Sequence, residues 1–259
     1  MGVMKIVSWN LRCVWSSGDG VNSFIHRAGM IYQKIETEKP DVIAFQEVVQ
    51  ESLDFLTKLF PEYEFFGSFR SEDYAYEGLY TAYRKDRFAL IRSDVFWLSP
   101  EPYKAGSRYE TQSIYPRICV MTELRNKQNN EIFRLYNVHL DHEPNNARLL
   151  GLTSVFTHID KRNAEMNVPT VLCGDFNSEP HEDVIRFANS RVDFKDFTTQ
   201  FETTYHDFGR KTTACKIDYV FLSKQWWERV EESKLWQDCH EGIYLSDHYP
   251  VCVKVREKN

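Results

Sequence analysis

Short apolar runs of strand length alternate along the chain with stretches whose apolar residues recur every three or four positions. Lys5 to Asn10 (KIVSWN) reads as a strand. Ile25, Ala28, Tyr32 and Ile35 follow at helical spacing until Pro40 closes that segment. Asp41 to Phe45 (DVIAF) is a second buried strand, running straight into Gln46 and Glu47. Leu53, Leu56, Leu59 and Phe60 mark another helix, stopped by Pro61. A strand–helix–strand–helix opening predicts an α/β protein.

The middle changes character. LYTAYR, RFALIRSDVFWL, RICVMTEL and EIFRLYNVHL read as strands, separated by polar clusters such as RNKQNN at 125–130. Their short links predict antiparallel pairing. Leu149, Leu152, Phe156 and Ile159 place a helix over 145–163. VPTVLC is the next strand, followed by a helix from about Pro180 to Ala188, and IDYVFL and HYPVCVKV finish the chain. The segment from Leu98 to Tyr115 has no period and reads as a loop at the mouth of a cleft, placed to set specificity. With no internal repeat, low-complexity stretch or linker, one α/β domain over residues 1–259 with mixed sheets is expected.

Length and composition narrow the class. A chain of 259 residues with 18 Phe, 14 Tyr and 6 Trp can bury roughly three quarters of its extended surface. The net charge of −6 argues against a broad basic surface for non-specific duplex binding, though not against a local Arg/Lys rim. Six scattered cysteines with no C-x-x-C pair read as free thiols in a reducing compartment. The first residues enter a strand pattern at once, leaving no room for a signal peptide. Ile6 stands where a myristoylation signal needs Ser or Thr, and no apolar stretch approaches the ~18 residues of a membrane span. A soluble, cytoplasmic monomer is expected.

Ligand-type and acid–base residues recur at the ends of the apolar strands: Asn10, Glu47, His139, Asp175, Asn177, Asp218, Asp247 and His248. Taken singly, an Asp or Asn there is most often a turn or cap, and a lone His is most often structural. Eight together, all at strand exits where α/β sheets present side chains to a cleft, are hard to assign to capping. Asn10, Glu47 and Asp247 offer hard oxygen donors suited to Mg²⁺ or Mn²⁺. The two histidines suit acid–base work or a phosphate contact, and Asp218 can hold an imidazole in one tautomer. Together they fit metal-assisted attack of water on phosphorus.

The same residues carry a family pattern. SWNLR at 8–12, FQEV at 45–48, YRKDRF at 83–88, NVHLDH at 137–142, GDFNSEP at 174–180, IDYVF at 217–221 and SDHYPV at 246–251 occur in order. Over essentially its whole length the chain resembles the endonuclease/exonuclease/phosphatase superfamily of DNase I-like enzymes, and GDFNS with a C-terminal SDHYPV is highly specific. The resemblance implies a four-layer α+β sandwich: two packed mixed β-sheets with helices outside each. It implies that Asn10 and Glu47 hold the metal with Asp247 near the same ion. Asp175 would orient or deprotonate the attacking water, with Asn177 helping to hold phosphate or that water. His248, oriented by Asp218, would meet the scissile phosphate. His139 matches a second phosphate-facing position, and Glu77 the carboxylate that supports it. Lys216 stands where relatives often have Arg, and should still supply positive charge.

Other readings stay open at this level. Arg117 is either a phosphate contact on the cleft wall or a surface ion pair. Trp15, Phe69, Tyr74, Tyr76, Tyr103, Tyr109 and Tyr115 either stack bases or pack. The expected activity is a phosphoesterase, including 3′–5′ exonuclease action on single-stranded nucleic acid, with a small-molecule or phospholipid-headgroup phosphatase as the alternative. A binuclear zinc hydrolase is suggested only by His139, Asp141 and His142, and lacks the leading His at Asn137. A decayed binding module should have lost a metal carboxylate or catalytic His, and none is lost.

Overall fold

The structure, a computed structural model, describes residues 2–15, 17–143 and 145–258. β1 (Val3–Asn10), α1 (Phe24–Glu38), β2 (Val42–Val48) and α2 (Gln50–Leu59) open the chain, followed by β3 (Tyr63–Phe69) and β4 (Gly78–Arg84). Next come β5 (Phe88–Trp97), β6 (Ile118–Asn126), β7 (Ile132–His139), α3 (Asn145–Glu165), β8 (Thr170–Asp175) and α4 (Asp183–Ser190). The last third holds β9 (Phe194–Asp196), β10 (Asp218–Ser223), β11 (Val230–Leu235), the short pair β12 (Cys239–His240) and β13 (Ile243–Tyr244), and β14 (Val251–Arg256).

Two six-stranded sheets result, ordered β11-β14-β1-β2-β4-β3 and β5-β6-β7-β8-β10-β9. Each is mixed, with one central parallel pair, β1 with β2 and β7 with β8. Alternation along β8 shows how they stack. Val171 and Cys173 join Ile6, Val42, Phe133 and Val253 in a core between the sheets, while Leu172 turns outward onto Phe156 and Ile159 of α3 and Ile185 of α4. Ile31 and Ile35 of α1 and Leu56 of α2 cover the other outer face. This is the expected four-layer α+β sandwich.

Several expectations change in detail. LYTAYR and RFALIRSDVFWL do not form a hairpin: β4 pairs with β2 and β3, and β5 crosses into the other sheet. The hairpins β5–β6 and β6–β7 are antiparallel as predicted. On α1 the buried face is Arg27, Ile31 and Ile35, not the Ile25 and Tyr32 face, because four backbone carbonyls draw the Arg27 guanidinium inside. Ile25 is 78% exposed. α4 starts at Asp183, after a turn closed by Glu182 N–H on Glu179 O. β3, β9 and β11, which the pattern did not mark, are sheet-edge strands. An edge strand such as VEESKL carries charges that discourage further pairing, and so shows no apolar run.

Candidate active site

Strand register brings the candidate residues to one edge of the sandwich. β1 and β2 run in parallel with Asn10 opposite Gln46, and β7 and β8 with His139 opposite Asp175. β10 runs against β8 and begins with Asp218 opposite Asp175. β14 runs against β1, so Asp247 and His248, just before its first residue, lie beyond the exit of β1. Arg117 and Glu77 precede β6 and β4, which run against β7 and β2.

The backbone is bent at these exits to turn side chains into the cleft. Between Phe45 and Val48 the β2–β4 register slips, and Glu47 takes a left-handed φ of 56°. Such bulges re-aim a side chain beside a site. Arg12 (φ 61°) and Asn177 (φ 47°) are likewise left-handed, conformations that cost a non-glycine residue of order 1–3 kcal/mol. Gly174 has no substitute: at φ 142° an added Cβ would lie 1.9 Å from Val138 O.

At the centre, one oxygen of Asp175 is ringed from both sheets. Asn10 Nδ2 donates to Asp175 Oδ2 at 3.1 Å, His139 Nε2 lies 3.5 Å from it and His248 Nε2 3.8 Å. Asn177 N–H grips the other oxygen at 2.8 Å, and its side-chain nitrogen is engaged by Leu140 O at 3.0 Å. His248 Nδ1 meets Asp218 Oδ2 at 2.8 Å. Glu47 accepts from Asn10 Nδ2 at 2.9 Å and from the Cys13 backbone N–H at 2.8 Å. Asp247 Oδ2 lies 3.5 Å from Arg12 Nη1.

Burial and crowding set the charges. Burial first, then the charge of Asp218, push the Asp175 carboxyl up to about 7. Burial also raises Asp247. Burial opposes charge on His248, but the charge and hydrogen bond of Asp218, with Asp247 and Asp175, outweigh it and raise the imidazole to about 10. His139 is the reverse case: burial, then the charges of Arg117 and Arg70, hold it well below its ordinary value and keep it neutral. The site thus pairs a charged imidazole with a neutral one.

Two assignments need correcting and one is decided. Glu77 does not support His139; its Oε2 lies 2.7 Å from Arg70 Nη2, a partner that no motif signalled. Lys216 does not face the cleft: its Nζ bonds Asp196 at 2.8 Å over the Tyr219 ring. Arg117 is no surface ion pair, being 4% exposed and lining the cleft. Of the flagged aromatics, Trp15 and Tyr115 line the cleft. Tyr103 and Tyr109 are held by Asp94 and Ser154, and Phe69 packs on Tyr80. Tyr205, whose ring lies 4.9 Å from that of His248, belongs to the site and carried no sequence signal. So does Arg12, which the SWNLR stretch contains.

A sequence model of the endonuclease/exonuclease/phosphatase family matches residues 7–248. The chain belongs to this family. Its members hydrolyse phosphoester bonds, and the chain is a hydrolase of that kind. An endonuclease/exonuclease/phosphatase of Bacteroides vulgatus superposes with a TM-score of 0.90 at 26% identity, over 100% of both chains. A mannosyl-6-phosphatase of Bacteroides thetaiotaomicron shares the fold, with a TM-score of 0.86 at 24% identity over 96% of this chain and 98% of that one. A 2′,5′-phosphodiesterase 12 of Bos taurus is 27% identical over 241 residues, 76% of this chain but 39% of that protein, so the chain spans well under half of it.

Family members typically depend on a divalent metal, and the donor set here fits a hard cation. Glu47, Asp175, Asp218 and Asp247 are all buried or nearly so, beside the amide of Asn10. Burial pushes the Cys13 thiol up to about 12, so it offers no thiolate to a softer metal. Ligand atoms of Asp175, Asp218 and His248 also lie within 4.8 Å of one another. That group suits an acid–base relay better than a cation, because His248 spends Nδ1 on Asp218 and holds its proton.

Proposed function

We propose that the chain is a Mg²⁺- or Mn²⁺-dependent phosphoesterase that hydrolyses its ester by direct attack of water, as a monomer and through a single catalytic domain. The observation that carries this reading is the one carboxylate oxygen of Asp175, faced by Asn10, His139 and His248 at 3.1, 3.5 and 3.8 Å. Asp175 orients the water and takes its proton, and Asn177 fixes Asp175 and lines the phosphate position. His248, kept charged by Asp218, meets the scissile phosphate, and neutral His139 donates to one of its oxygens. Glu47, Asn10 and Asp247 hold the ion, which supplies positive charge against the phosphate oxygens. Water attacks phosphorus while the ester oxygen leaves with its electron pair and takes the proton that His248 holds, giving an alcohol and a phosphate or phosphate monoester, with no covalent enzyme intermediate.

The cleft of about 620 Å³ has the size of a small-molecule site, which favours a small phosphate ester or the end of a single strand over duplex nucleic acid. The relatives' names span a sugar phosphatase and a nucleotide-linkage phosphodiesterase, which supports either ester class. Six unpaired cysteines support a reducing, cytoplasmic setting, and no helix among the described residues is long and apolar enough to cross a membrane. The test is a panel of single-stranded RNA and DNA, duplex DNA, sphingomyelin, inositol phosphates, sugar phosphates and nucleotides, with Mg²⁺ and with Mn²⁺. At least one class is hydrolysed and EDTA abolishes the activity. Turnover that survives EDTA contradicts the metal assignment.

A further inference from the structure

The guanidinium of Arg117 lies in the cleft wall with its Nε and Nη1 buried and without a hydrogen-bond partner. Nη2 reaches His142 Nδ1 at 3.1 Å, and the nearest carboxylate oxygen, Asp141 Oδ2, is 3.8 Å from Nε. Unmade donors on a buried charged group are unfavourable, so the arrangement points to an acceptor that arrives with a ligand.

Arg70, directly after β3, completes a corner with it. Its guanidinium lies 5.1 Å over the Tyr115 ring and its Nη2 is paired with Glu77. Burial first, and then the charge of Arg70, lower Arg117 to about 10, a strain that an anion between the two guanidiniums would relieve. A cavity of about 10 Å³ lined by both arginines, and also by Glu47, Glu77, Leu79 and His139, has room for one oxygen atom. Arg70, Glu77, Arg117 and His139 line the main cleft as well, so the two spaces join. The corner is fixed in place. Ser113 Oγ bonds Asp141 at 2.6 Å, Gln112 Nε2 bonds Tyr115 O at 2.8 Å and Trp97 Nε1 bonds Arg70 O at 2.7 Å.

We propose that the Arg70–Arg117 corner is a subsite for a second phosphate of the substrate, so that the enzyme selects molecules bearing a phosphate beside the ester it cleaves. The proposal deepens, and rests on, the phosphoesterase reading of the same cleft. Guanidinium forks match phosphate oxygens in geometry and charge. The second phosphate belongs either to a nucleotide end or to a bisphosphorylated sugar.

Equilibrium titration of the full chain in EDTA, which halts a metal-dependent reaction, separates these cases. The probes are adenosine 3′,5′-bisphosphate against adenosine 5′-monophosphate, and fructose 1,6-bisphosphate against fructose 6-phosphate. At least one bisphosphate binds about 10–100-fold more tightly than its monophosphate, the scale of a hydrogen bond to a charged group. Arg117→Gln and Arg70→Gln each remove most of that ratio, and the pair that shows it identifies the source. Should a Gln variant fail to fold, Arg117→Lys, which keeps the charge but loses the fork, lowers the ratio several-fold. Equal affinities in both pairs, or a ratio that survives these substitutions, overturns the subsite. Hydrolysis of bis(4-nitrophenyl) phosphate with Mg²⁺ is followed separately. Turnover without a binding ratio strikes the subsite alone, and a ratio without turnover strikes the phosphoesterase reading alone.

Discussion

A carboxyl raised to about 7 and an imidazole raised to about 10, 3.8 Å apart, are set for opposite proton traffic near neutral pH. Each owes its value to neighbours that the fold delivers: Asp218 bonds one and repels the other. Asp175→Asn and His248→Ala are each expected to slow turnover by roughly 10²–10⁴-fold, the scale of losing an acid–base group, with the circular dichroism spectrum unchanged. A loss below tenfold in either would remove the assigned role. At this scale GDFNSEP and SDHYPV made Asp175, Asn177, Asp247 and His248 legible as a cluster. Glu77 and Lys216 were misplaced because spacing locates a strand end but not the partner that captures the side chain. Those partners, Arg70 and Asp196, lie 7 and 20 residues away and belong to no motif.

Elements deliver these residues only if the two sheets keep one relative register, and a buried amide pair holds it just below the site. Gln46 Nε2 donates to Asn137 Oδ1 at 2.8 Å, and Asn137 Nδ2 donates back across the interface to Phe45 O at 3.0 Å. Asn137→Ala removes both bonds and leaves the buried Gln46 amide without its partner in the other sheet, and is expected to lower stability by about 1–3 kcal/mol in urea unfolding. An effect within 0.5 kcal/mol would show that the pair does not tie the sheets. At the far side, Glu38 at the end of α1 accepts from Lys5 of β1 at 3.2 Å and faces Lys34 and Lys234, both at 3.4 Å. Burial alone would raise its pKa, but the Lys5 hydrogen bond and the lysine charges lower it. A depressed carboxyl contributes stability above its unfolded pKa of about 4.3 and loses it as pH falls through the folded value. Glu38→Gln is therefore less stable than the parent at pH 7, and the gap closes below about pH 4 in thermal unfolding. A gap that widens in acid would contradict the sign. Internal strands were readable because both faces are buried and their sequences are continuously apolar. Strands β3, β9 and β11 were not, since β3 and β11 are mostly half-buried or exposed and β9 has only three residues.

On the whole molecule, a net charge of −6 says nothing about where charge collects, and only the fold reveals a concentration at the strand-exit edge. Glu47, Asp175, Asp218 and Asp247 crowd there, compensated by His248 and by Arg12, which is shared with Asp19. Mutual repulsion of this kind weakens the folded chain, and a divalent cation that binds only the folded form offsets it by mass action. At one hundred times its dissociation constant such an ion adds about 2.7 kcal/mol. For a chain of this size that corresponds to a rise in melting temperature of roughly 5–10 °C. Mg²⁺ or Mn²⁺ is thus expected to raise the melting temperature in scanning calorimetry without any substrate, and EDTA to reverse it. Glu47→Ala, which removes a carboxylate of this set but leaves the strand pairing of β2 intact, should gain little in melting temperature from added metal. If the parent melts at one temperature with and without both ions, these carboxylates do not form a cation site and the charge at this edge must be held by the protein alone.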